Sequence, residues 1–129
     1  MEKTIYFGGT TAVAVAATAT KVFSKKDISG SALLSVTLEN TGAVALVACV
    51  IKKKVHPNGV AKNFFGGADF DSTTNGAIEF VSTVKPQSLA ASAVSFFQVW
   101  ISGATEVELW LTADTGGTTV EVMGNLQNL

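Results

Sequence analysis

Apolar and polar side chains alternate over successive short runs, each closed by a Gly, Asn or Asp turn, and this rhythm limits the chain's possible folds more than any other feature. It is clearest between residues 92 and 123. Val107, Leu109 and Leu111 share one face, while Glu106, Glu108, Trp110 and Thr112 share the other, the period of two of a strand buried on one side. After Asp114-Thr115-Gly116-Gly117 the alternation resumes, with Val120 and Val122 facing in and Thr119 and Glu121 facing out, which predicts a hairpin. The run before it carries Phe97, Val99 and Ile101 on one face and Val94, Phe96 and Trp100 on the other. Both faces then need cover, as in a central strand or a strand at a subunit contact.

The same rhythm extends upstream. Short strands are expected at 4–7, 11–16 and 18–23, followed by a polar turn region at 24–30. Leu34, Val36 and Leu38 alternate with Ser35, Thr37 and Glu39, and Asn40-Thr41-Gly42 turns the chain into the apolar run 43–51, a second expected hairpin. Lys52-Lys53-Lys54 closes that run as a charged strand end. His56-Pro57-Asn58-Gly59 is a turn signature, and 56–76 is expected to be a long loop holding Phe64, Phe65 and Phe70. After Asn75-Gly76 a further strand is expected, with Ile78, Phe80 and Val84 inward, until Lys85-Pro86 breaks it. No amphipathic helix pattern occurs. The expectation is an all-β fold: one antiparallel β-sandwich domain over 1–129, jelly-roll or Greek-key-like, of about eight strands.

Composition narrows the function classes. Only 15% of residues are charged against 47% apolar, and the net charge is −1, as in a chain that hides much of its surface in an assembly or in a small core-rich monomer. All nine basic residues are lysines. Without arginine or a basic excess, a nucleic-acid partner is not expected. No run approaches the roughly 18 apolar residues of a membrane span. Gly8-Gly9-Thr10-Thr11 interrupts the early Ala/Val stretch, so a signal peptide is not expected either.

Chemistry-bearing residues are sparse. The single histidine, His56, precedes a proline in an exposed-looking turn, a poor place for an oriented base. Cys49, the one cysteine, lies in an apolar run and is expected to act as a small buried hydrophobe. Asp69 and Asp71 could wrap a hard cation, but Thr74 stands where an EF-hand loop needs glycine and Phe80 where it needs glutamate. A plain polar turn is the expectation there. Glu106 and Glu108 alternate with the core face and are expected on a solvated face. No catalytic, metal or cofactor residues are therefore assigned, and the chain is not expected to be an enzyme. The aromatic side chains outside the inward pattern carry more: Phe64, Phe65, Phe70, Phe96, Trp100 and Trp110 are the candidate contact residues.

Two stretches resemble a known class. Thr10-Thr11-Ala12-Val13-Ala14-Val15, then Leu34-Ser35-Val36-Thr37-Leu38-Glu39-Asn40-Thr41-Gly42, is similar to the opening of small β-sandwich modules in virion proteins of tailed bacteriophages. Ser102-Gly103-Ala104-Thr105-Glu106-Val107 and Leu111-Thr112-Ala113-Asp114-Thr115-Gly116-Gly117-Thr118-Thr119-Val120 resemble their closing strands. Those modules commonly carry an arginine before the second of these strands, where this chain has Gly30-Ser31. The resemblance implies a structural role on a particle, as capsid decoration, cement, or a tail or fibre subunit. Other capsid subunits would be its partners, and the virion its location. It transfers no catalytic residue. A homo-oligomer is expected, with a trimer favoured. The alternative is a carbohydrate-binding or adhesin-type module that stacks sugars on Trp110, Trp100 or Phe64-Phe65.

Overall fold

Residues 3–56, 58–59, 62–67 and 89–128 are described in a computed structural model, with backbone alone at 3 and 62–67. They form nine strands: β1 (Lys3–Gly8), β2 (Val13–Val15), β3 (Thr20–Lys26), β4 (Leu33–Asn40), β5 (Leu46–Lys54), β6 (Lys62–Gly67), β7 (Val94–Trp100), β8 (Glu106–Ala113) and β9 (Thr118–Asn128). The first sheet has the order β1-β9-β4-β7, with β2 also on β9; the second has the order β3-β8-β5-β6. Every pairing is antiparallel. β1 and β2 lie end to end along one edge of the long β9, so eight strand positions make up two four-position sheets. The chain changes sheet at every connection from β2 onward except β5 to β6. This is jelly-roll connectivity, and it settles the choice that alternation alone left open.

That connectivity corrects both expected hairpins. β4 pairs with β7 and β9, whereas β5 pairs with β6 and β8. The turn after Asn40 therefore crosses between sheets, and the turn 114–117 does the same between β8 and β9. In a hairpin the inward residues of two strands lie side by side; in a crossing arch they face each other over the core. Alternation is identical in both, so a period of two cannot separate them. At the second arch Asp114 Oδ1 accepts the Thr115 N–H at 2.8 Å, and Gly116 and Gly117 have φ of 101° and 73°. A Cβ on Gly117 would also meet the Val15 carbonyl oxygen at 2.9 Å, so glycine is required there for both conformation and space.

The two arches meet at Asn40, which is fully buried. Its Nδ2 donates to the Val44 carbonyl at 2.8 Å and the Leu89 carbonyl at 3.1 Å. Its Oδ1 accepts the Gly42 N–H at 3.2 Å and the Thr118 hydroxyl at 2.8 Å. One amide thus satisfies groups from the first arch, from the start of β9 and from the segment leading toward β7. Between the sheets, Leu34, Val36 and Leu38 meet Cys49, Ile51, Leu109 and their neighbours in a single core. Phe7 of β1 and Phe23 of β3 stack across the sheets, centroids 3.8 Å apart. Gly124, opposite Phe7 in register, makes room for that ring, because a Cβ there would lie 2.6 Å from Phe7 Cζ.

Three further expectations are corrected. Residues 62–67 form β6, paired to β5, inside what was expected as loop 56–76. β3 continues to Lys26, into the expected polar turn. Lys52-Lys53-Lys54 continues β5 rather than ending it, since Lys52 and Lys54 pair in register with Glu108 and Glu106. The expected strand around Ile78 lies outside the described residues.

Candidate functional site

With the inward faces spent on the core, contact chemistry falls to the two outward faces. On the second sheet, cross-strand register sets Lys21, Trp110 and Val50 in one row, Ser24, Glu108 and Lys52 in the next, and Lys26, Glu106 and Lys54 in a third. The lysines flank the central glutamates. Lys54 Nζ lies 3.4 Å from Glu106 Oε2, and Lys21 Nζ lies 3.8 Å from Glu108 Oε2. Trp110 is half-buried among them: its indole N–H donates to Glu108 Oε1 at 3.0 Å, and the Lys52 ammonium sits 4.4 Å from its ring centroid. Charge and a desolvated ring stabilise each other here.

The outward face of the first sheet is different. Register places Thr4, Gln127, Leu33 and Trp100 in one row, then Tyr6, Asn125, Ser35 and Gln98, then Gly8, Met123, Thr37 and Phe96. A last row holds Glu121, Glu39 and Val94. Tyr6 is 79% exposed, Val94 58%, Phe96 49% and Met123 43%, and no lysine lies among these rows. Gln98 Nε2 donates across the strands to Ser35 Oγ at 2.9 Å. Asn125 Oδ1 is buried within this face without a donor among the described residues. The charged groups in these rows are Glu39 and Glu121, directly opposite one another. A hydrogen bond to Glu39, with partial burial and the Glu39 charge, holds the Glu121 carboxyl above the usual carboxylate range.

Of the six candidate contact residues, the structure brings Phe96 and Trp100 together on this face and sets Trp110 on the opposite one. Phe64 and Phe65 belong to β6, Phe65 opposite Ile51, rather than to a loop; Phe70 lies outside the described residues, as do Asp69 and Asp71. β7 was expected as a central strand or a contact strand. Within the described pairing it stands at the end of its sheet, beside β4, with Phe97 and Val99 buried beneath and Phe96 and Val94 outward. Residue choice from sequence missed Tyr6 and Met123. Their outward parity was readable from alternation, but their neighbours across the sheet were set by β9 lying between β1 and β4.

The remaining reactive groups occupy structural places. Cys49 is buried, and burial pushes its thiol well up. His56 is exposed, its Nδ1 accepting the Asn58 N–H at 3.1 Å in a turn. Among the described residues no group of three or more His, Cys, Asp or Glu is placed to hold a metal, and no helix is long and apolar enough to cross a membrane.

No known family model matches the chain, and no curated protein does. Among solved structures, a chain in the structure of infectious bursal disease virus, Gx strain, shares the fold with a TM-score of 0.50 at 10% identity. The match covers 98% of this chain and 32% of that one, so this chain spans about a third of the length of its structural neighbour.

Proposed function

We propose that this chain is a non-enzymatic structural protein of a virus particle, a capsid decoration or cement subunit of a tailed phage, that packs against neighbouring subunits through the outer face of its first sheet. The observation that carries the reading is that face: a four-strand surface exposing Tyr6, Val94, Phe96 and Met123 with no lysine on it. A chain that met only water would not keep such a patch. Jelly rolls serve viral capsids and lectins alike; the likeness to a chain of a virus structure and the phage-like strand idioms favour the first. Light scattering, joined to co-sedimentation with emptied tailed-phage capsid shells, is the test. Oligomers or shell binding are expected, and a stable monomer that ignores the shells would overturn the reading.

A sugar-binding module remains the alternative, for Trp110 is the type of ring that stacks on sugars. Against it, the Lys52 ammonium lies over the ring and Glu108 holds the indole N–H, so a sugar would have to displace both. Unchanged Trp fluorescence across a panel of glycans would dispose of it.

A further inference from the structure

Glu39 and Glu121 face each other across β4 and β9 at one end of the apolar face. Like charges so placed repel, and the Glu39 carboxyl beside it holds the Glu121 carboxyl above the usual carboxylate range. The outward positions around them are Thr37 on β4, Thr119 and Met123 on β9, Val94 on β7 and Ala14 on β2. None of these titrates. The ion pairs among the described residues, Lys21 with Glu108 and Lys54 with Glu106, both belong to the other sheet.

We propose that the outer face of the first sheet docks against the same face of a second copy of this chain, and that the Glu39–Glu121 pair gates the contact. The inference rests on the assembly role proposed above and names its partner. Charge selects a second copy. A face meets its own copy about a two-fold axis only if it does not repel itself. The second sheet's outer face, with four lysines against two glutamates, would repel its copy. The first sheet's face offers apolar groups and neutral amides, and its one charged spot falls from two negative charges to one when the pair takes up a proton. Area points to a weak contact: four strands by seven residues give about 400 Å², half of the roughly 800 Å² per partner in a stable complex. Such a contact holds firmly only where neighbouring contacts add to it, as they do in a shell.

The sign of the gate follows from the raised Glu121 carboxyl. With both carboxyls ionised the pair carries two negative charges and each face opposes its copy. As pH falls through the raised value, the shared proton is held and the opposition fades. Folding follows the same sense, because the folded chain binds this proton more tightly than the unfolded one. The pair's cost to stability is absent below the unfolded carboxylate range and develops as pH rises through the folded value.

Sedimentation velocity on the full chain over a dilution series, at pH near 7.5 and near 4 so as to reach from above the ordinary carboxylate value down to it, tests both halves. The wild type is expected to self-associate about tenfold more tightly at the lower pH. Glu39→Gln with Glu121→Gln is expected to associate equally at both, which separates this pair from every other carboxylate. Phe96→Lys is expected to stay monomeric at both with its melting temperature kept. Association that Phe96→Lys leaves intact, or no association at either pH, overturns docking on this face. Association that is sensitive to Phe96→Lys but equal at both pH values overturns the gate. Shell binding by a wild type that never self-associates overturns this inference and leaves the assembly role standing; a stable monomer that also ignores the shells removes that role itself.

Discussion

The two outer faces of this sandwich rest on one core and are built from strands of the same alternation, yet they are opposites. The second sheet sets Trp110 between Lys21 and Lys52 and pairs its glutamates with lysines, so its ring and its carboxylates find neighbours within the chain. On the first sheet, Tyr6, Phe96, Val94 and Met123 are exposed, with no lysine in their cross-strand rows. Folding constrains what points inward and leaves the outward half of each strand nearly free. What stands on an outer face is therefore where the two sheets are free to differ.

The largest expected effect comes from breaking the frame that both faces share. Asn40→Ala removes a buried amide that serves two carbonyls, one N–H and one hydroxyl from three segments. Leaving such groups unpaired in the interior is expected to cost about 3–4 kcal/mol. Chemical denaturation followed by Trp fluorescence and by far-UV circular dichroism should show one transition, lowered for both sheets together. If Trp110 and the backbone signal separated, the two faces would be independent units, and the comparison between them would lose its common base.

Asn40 also marks the limit of what was legible in the sequence. Which side of each strand faces the core was readable: Val107, Leu109 and Leu111 are buried as alternation requires, and so are Phe97, Val99 and Ile101. Which strand each one pairs with was not. Asn40-Thr41-Gly42 has the composition of a hairpin turn, but Thr118, brought close only when β9 packs on β4, takes the Asn40 side chain and the chain crosses sheets instead. Non-local pairing decided the topology, and a local motif carries no record of it. The candidate site divides the same way. Phe96 and Trp110 were recognised as outward aromatics, but only register showed that one joins Tyr6 and Met123 in a bare apolar patch while the other is filled in by lysine. β6 was obscured because Phe64-Phe65 is flanked by Asn63 and Gly66-Gly67, the residues of a loop.

Trp110→Ala ranks next. It deletes a half-buried ring, the Glu108 hydrogen bond and the Lys52 ammonium contact, for an expected loss of about 2 kcal/mol. Self-association is expected to stay at the wild-type level, because the ring serves the second sheet's own cohesion. A variant that kept its melting temperature but lost self-association or shell binding would move the contact surface to the other side of the sandwich.

A smaller effect probes the charges of the second sheet. Lys54 and Glu106 are 3.4 Å apart with side chains 22% and 9% exposed, so Lys54→Met leaves a largely buried carboxylate with only Lys26 opposite it. The expected loss is about 1 kcal/mol in low salt, shrinking as salt rises. The first sheet's contact, being apolar, should respond to salt weakly or gain from it. Equal salt responses for folding and for self-association would erase the distinction in how the two faces are held.

The smallest expected effect on folding sharpens the comparison most. Tyr6 lies on an edge strand of the first sheet, opposite Asn125, with most of its surface in water. Tyr6→Thr keeps the strand preference of a β-branched residue and removes little buried area, so stability should change by no more than about 0.5 kcal/mol. Removing an aromatic anchor from the middle rows of a docking face should nonetheless weaken self-association severalfold at the lower pH. An exposed side chain that folding does not need, and association does, belongs to an interface. If Tyr6→Thr instead lowered the melting point and spared association, Tyr6 would be part of the sandwich's own cover, and the first sheet's face would be closed by its own side chains as the second sheet's is.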